Sequence, residues 1–172
     1  MADYWTEVSF ILELPKPVMD FVTGILEVAS ELEEGTEYTD EQIEELQSRE
    51  HLQAVMADPD AIELAHNILG YGIDMQPEDA EEPGYVAAWC HHDESFDVDG
   101  MIEAVHYALK KFDCDDIVCF EWSGSCSKPR TDAFGGGAVV ISKEEVKATT
   151  TYDWMRQAAE DIEAARKETA KK

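Results

Sequence analysis

The chain has 172 residues, with 39 acidic against 13 basic side chains and a formal net charge of −26. That length suits one domain, and 44% hydrophobic residues are enough for a core, which excludes wholesale disorder. No apolar run approaches the roughly 20 residues of a membrane span, and Met1-Ala2-Asp3-Tyr4-Trp5 lacks a basic or apolar leader. The expectation is a cytoplasmic protein that touches neither membranes nor nucleic acid directly, since both reward Lys and Arg.

Tyr4 to Leu14 alternates with the period of a half-buried strand. Pro15 and Pro17 stop it, and Pro17 suits the first turn of a helix that runs to about Glu34 on Val18, Phe21, Val22, Ile25, Leu26, Ala29 and Leu32. Thr39 with Gln42 forms a capping-box pattern for a second helix to about Ala57. Asp58-Pro59 starts a short third helix to Leu69. Gly70 to Gly84, with three glycines and two prolines, reads as an exposed acidic loop. Tyr85 to His92 is a strand, Ser95 or Asp97 caps a helix to about Phe112, and Ile117 to Trp122 is a further strand. Ala138 to Ser142 pairs with Val146 to Thr151 through a turn at Lys143 and Glu144, and Tyr152 to about Lys167 is a terminal helix. The order is summarised as β-α-α-α-β-α-β-β-α. It predicts a single α+β domain, a mainly antiparallel sheet covered by helices, as a ferredoxin-like variant. Within it, 1–70 is a strongly acidic strand-plus-helices part, 71–84 an acidic loop, and 85–172 a charge-balanced part.

The charge is not spread evenly. Residues 1–99 hold 26 acidic side chains and two basic ones, Lys16 and Arg49, whereas residues 100–172 hold 13 and 11. Solubility needs a net charge of only about 2–8 in magnitude for a small domain, and self-repulsion opposes folding, so the field calls for a use. On the N-terminal helices Glu27, Glu31, Glu34, Glu37, Asp40, Glu41, Glu44 and Glu45 recur at three- and four-residue steps, about 5–6 Å apart along a helix. That resembles the spacing of phosphates, which basic proteins read through charge.

Cys90, Cys114, Cys119 and Cys126 form no Cys-x2-Cys pair and read as packing thiols, and Cys90-His91-His92 alternates across a strand, so neither a metal site nor a cofactor is expected. Gly135-Gly136-Gly137 precedes a strand, the wrong context for a phosphate cradle, and reads as a bulge or tight backbone crossing. No Gly-x-Ser-x-Gly elbow marks a nucleophile and no catalytic residue can be singled out.

The segment from Phe120-Glu121-Trp122-Ser123 through Cys126-Ser127-Lys128-Pro129-Arg130-Thr131-Asp132-Ala133-Phe134 to Gly135-Gly136-Gly137-Ala138 resembles one found in a group of small proteins from phages, plasmids and bacterial genomes. An aromatic-rich first strand like Tyr4 to Leu14 recurs there too. The resemblance implies an origin on mobile DNA and a bacterial host cytoplasm, and carries over no activity. In the segment, Lys128, Arg130 and Asp132 are placed to cross-brace a long loop.

Three functions are weighed. The leading one is an acidic inhibitor that captures a basic, nucleic-acid-binding host protein by DNA mimicry. The second is a binding module acting through Trp122, Cys126, Lys128, Arg130, Asp132 and Phe134. The third is a small enzyme with a pocket near Cys90, His91 and His92. Exposed aromatics are compatible with a homodimer.

Overall fold

The computed structural model describes residues 3–31, 38–68, 74–92, 95–128 and 134–169. Strand β1 (Tyr4–Pro15) follows its alternation: Val8, Leu12 and Leu14 are buried, and Glu7, Ser9 and Ile11 point the other way into solvent. Helix α1 (Lys16–Ser30) carries Pro17 in its first turn and buries Val18, Phe21, Val22, Ile25 and Val28. Gly24 lets α1 approach its neighbour closely, since a Cβ there would lie 2.9 Å from a Val55 methyl.

The second predicted helix is corrected. It divides into α2 (Asp40–Ser48), a 3-10 turn (Glu50–Leu52) and α3 (Gln53–Met56), broken at Arg49, whose backbone is extended with ψ 113°. The break turns Leu52 and Val55 inward, where both are fully buried, and leaves Arg49 beside α1. The Thr39–Gln42 capping box is present, with the Thr39 N–H donating to Gln42 Oε1 at 3.0 Å and the Gln42 N–H to Thr39 Oγ1 at 3.3 Å. Helix α4 (Pro59–Asn67) is capped by Asp58.

The loop expected at 70–84 is also corrected, since it contains strand β2 (Asp74–Glu78). Its residues do not alternate and include Pro77, which an edge strand tolerates; pairing with β3 (Tyr85–His92) supplies the order. Asp97 caps α5 (Val98–Lys111) by accepting from the Gly100 N–H at 2.9 Å. Strand β4 (Val118–Cys126) is longer than the apolar run suggests, and β5 (Gly135–Ile141) forms a hairpin with β6 (Val146–Thr150). Helix α6 (Thr151–Thr169) follows at once.

The sheet is antiparallel throughout, in the order β2-β3-β1-β4-β5-β6. Its first four strands with α1 and α5 make a β-α-β-β-α-β unit, with β1 lying between β3 and β4. That is the ferredoxin-like arrangement, extended at the β4 edge by the β5–β6 hairpin and after α1 by the helices α2 to α4. The fold is therefore α+β with six strands, the five expected ones and β2, where the order β-α-α-α-β-α-β-β-α counts four. One sheet face and the helices enclose the core, in which Phe10 and Phe120 stack across β1 and β4 at 4.5 Å. The other face stays open, as antiparallel sheets allow.

Candidate functional site: an acidic helical surface and an open sheet face

The acidic surface grows from the way α1 and α2 meet. The α1 residues that pack inward leave Glu27 and Glu31 along its upper edge, and the capped start of α2 presents Asp40, Glu41, Glu44 and Glu45 to solvent. Glu34 and Glu37 lie outside the described residues. Arg49 stands among the acids: one guanidinium nitrogen donates to Glu27 at 3.0 Å and Glu31 at 2.8 Å, and another to Glu45 at 3.0 Å. These bonds to Glu31, Glu45 and Glu27 push the guanidinium pKa further above its ordinary value. His51 Nε2 lies 2.8 Å from the second oxygen of Glu27. The Tyr38 hydroxyl donates to the Val28 carbonyl, and burial, with Glu31 nearby, raises its pKa. The chain entering α2 is thus fastened to α1.

The structure therefore divides the predicted acidic residues. Glu27, Glu31 and Glu45 converge on one cation, whereas Asp40, Glu41 and Glu44 form an exposed row on α2. Sequence reasoning missed Arg49 as a hub. The available signal was its scarcity: with two basic residues among the first 99, any cation there becomes a focus for carboxylates.

The segment at 120–137 is mostly hairpin rather than loop. Trp122 and Cys126 belong to β4, paired with Val8 and Tyr4 of β1. Lys128 is exposed, Arg130 and Asp132 lie outside the described residues, and Phe134 is 80% exposed. The Ser127 N–H donates to the Asp3 carbonyl at 2.9 Å, tying the end of β4 to the start of β1. Gly136 and Gly137 have packing reasons, as a tight crossing requires, whereas Gly135 has open space around it. A Cβ on Gly137 would lie 2.3 Å from the Trp122 indole, and Gly136, at φ +152°, would place one 2.4 Å from the Trp122 carbonyl. Trp122, Gly135–Gly137 and Trp154 border a groove of about 320 Å3 where α6 leaves β6.

The open sheet face carries a wider concavity of about 710 Å3, lined by Glu7, Ser9, Asp74, Trp89, His91 and Glu121 among others. The Trp89 and His91 rings lie 4.0 Å apart, the Trp89 indole N–H donates to Ser9 Oγ at 3.0 Å, and the Gln76 amide meets His91 Nε2 at 3.2 Å. Of the residues of the predicted enzyme pocket, Cys90 turns into the core, where burial pushes its thiol up to about 12, while His91 and His92 both line the open-face concavity. The cysteines are not all packing groups either, since Cys119 is exposed on the open face opposite Val140. Among the described residues, no three His, Cys, Asp or Glu side chains are grouped to hold a metal, and no helix is long and apolar enough to cross a membrane. No family model, curated protein or solved structure matches the chain.

Proposed function

We propose that the protein is a binding protein that captures a basic, nucleic-acid-gripping protein and blocks it by offering carboxylates in place of phosphates. The observation that carries this reading is the exposed row Asp40, Glu41 and Glu44 on α2, beside the Arg49-centred group of Glu27, Glu31 and Glu45. One cation among these six acids leaves a strong negative field. Helices anchored to a shared core hold it still, so a partner's Lys and Arg meet it without first ordering it. An origin on mobile DNA would supply the reason for blocking such a host protein.

The test passes a bacterial host lysate over the immobilised protein at low salt and elutes with a salt gradient. A single dominant nucleic-acid-binding protein, displaced by competing duplex DNA, is expected. The variant Glu41→Lys/Glu44→Lys, which leaves the Arg49 bonds intact, should lose that partner with an unchanged circular dichroism spectrum. Capture that survives both DNA and the reversal refutes the reading.

A second reading has its own observation: Phe134 and Trp154 are exposed beside the groove floored by Gly135–Gly137. If that groove is the contact, Phe134→Ser abolishes capture, the lysine variant retains it, and salt matters little.

A further inference from the structure

Helix α6 has an apolar face whose large side chains, Tyr152, Met155 and Ile162, no described residue of the chain covers. Of its 19 residues, Tyr152, Met155, Ala158, Ala159, Ile162 and Ala165 step by three and four along one side. Yet Tyr152 is 69% exposed, Met155 56% and Ile162 55%. Among the described residues the helix contacts β5 and β6, and Trp154 near its start borders the groove there. Packing within the fold therefore does not account for the stripe, and helix stability in proteins comes mostly from burying such a face.

We propose that α6 is a pairing helix, and that its occupant is α6 of a second copy of this chain, lying antiparallel. Three features select that partner. The first is charge. Residues 151–172 carry five acidic and five basic side chains, a neutral segment in a chain of −26, so this is where two copies can meet with least repulsion. A basic partner gains little from such a segment.

The second feature fixes the direction. Each body is attached at the start of α6, so a parallel pair would bring two strongly acidic bodies side by side. An antiparallel pair sets them apart by most of the helix, about 26 Å at 1.5 Å per residue. That is several times the ~8 Å screening length at physiological salt.

The third feature is the border of the stripe. Arg156 and Glu163 lie seven residues apart on the same edge. In an antiparallel pair centred between Ala159 and Glu160, Arg156 of each copy faces Glu163 of the other, once on each side of the two-fold axis. Their present partners are exposed and within the helix: Arg156 bonds Asp153 at 3.0 Å and Glu163 lies 3.8 Å from Lys167. Such pairs are worth little and are readily exchanged or shared. Small side chains at 158, 159 and 165 let the two backbones approach, so that Met155 and Ile162 of both copies meet in the middle.

The experiment is sedimentation equilibrium of the full chain under reducing conditions, from about 1 to 300 µM, with helicity followed by circular dichroism. A reversible monomer–dimer equilibrium is expected. Ile162→Glu should raise the dissociation constant by at least about tenfold. Arg156→Glu should weaken pairing about fivefold, and adding Glu163→Arg should restore it. A chain that stays monomeric over the whole range overturns the proposal. So does a dimer that survives Ile162→Glu, or one that Ile11→Glu on the open sheet face dissolves instead, since the helix would then dock on a sheet. A double variant that fails to restore pairing while keeping its helicity overturns the antiparallel register.

Discussion

Replacing Asp58 by Ala should destabilise the fold by about 2–4 kcal/mol, although the residue lies outside every proposed contact. Asp58 is 9% exposed and uses both oxygens. Oδ1 accepts from the Asp60 and Ala61 N–H groups at 3.1 and 3.4 Å, capping α4. Oδ2 accepts from the Tyr107 hydroxyl at 2.8 Å and from Lys111 Nζ at 2.6 Å. Losing the cap costs about 1 kcal/mol. Losing hydrogen bonds to a charged group costs about 1.5–3 kcal/mol, toward the lower end here, because the Lys111 side chain is 35% exposed and still reaches water. At roughly 2–4 °C per kcal/mol for a chain of this size, a 3 kcal/mol loss lowers Tm by about 6–12 °C. Burial disfavours the ionised carboxylate, but the bonds from Lys111, Tyr107 and the Ala61 N–H outweigh it and hold the pKa below its ordinary 3.8. A folded pKa below the unfolded one means that the stabilisation is complete above the unfolded value and fades as pH falls through the folded one. The gap between wild type and Asp58→Ala, measured by urea unfolding followed by circular dichroism, should therefore be full at pH 7 and narrow below about pH 3.8. A loss under about 1 kcal/mol at pH 7, or a gap just as wide at pH 3, refutes the reasoning.

Three further outcomes follow from particular contacts. Gly137→Ala should cost about 1–3 kcal/mol, because its Cβ meets both the Trp122 indole and the Thr149 carbonyl; Gly135→Ala, with nothing within 4 Å, should leave urea unfolding unchanged. In native protein a thiol reagent should modify Cys119 quickly and spare Cys90, whose thiol is buried and pushed up to about 12; Cys119→Ser should remove the fast phase and Cys90→Ser should not. Arg49→Gln removes the cation shared by Glu27, Glu31 and Glu45. Its thermal unfolding should drop most at low salt and recover as salt screens the exposed carboxylates.

The elements that were legible in the sequence are those whose cause is local. The alternation of β1, the Thr39–Gln42 box and Asp58-Pro59 each fix a boundary through neighbours a few residues away and stand where the spacing placed them, and of the two caps open for α5, Ser95 and Asp97, the structure uses Asp97. β2 was not legible because its order comes from β3: Asp74 pairs with His91 and Glu78 with Ala87, partners that no local pattern announces. The break at Arg49 escaped for a similar reason. Neither Gly nor Pro marks it, and two of its three partners, Glu31 and Glu27 at the end of α1, lie 18 and 22 positions earlier in the chain. Glu27 stands on α1 and Asp40, Glu41, Glu44 and Glu45 on α2, but helical spacing says nothing about a cation arriving from another element. Likewise the hairpin from Trp122 to Gly137 looks like a loop until Gly136 and Gly137 are seen to lie against Trp122 across the strand pair.

The uneven charge makes sense against this architecture. α1 packs on the central strands β1 and β3 and carries α2 to α4 with it, whereas the neutral α6 departs from the edge strand β6. A surface used for electrostatic capture and a helix used for pairing would interfere if they shared one face, since each acid added for capture would also repel the second copy. Carried by separate elements, they answer to salt in opposite senses. Rising ionic strength weakens a contact made of carboxylates and basic side chains, while it relieves the repulsion between two acidic bodies and leaves an apolar helix seam intact. Partner capture should therefore fall, and self-association hold or strengthen, across the same salt titration. If the two fell together, the same charges would be serving both, and the division of labour between the acidic helices and α6 would be wrong.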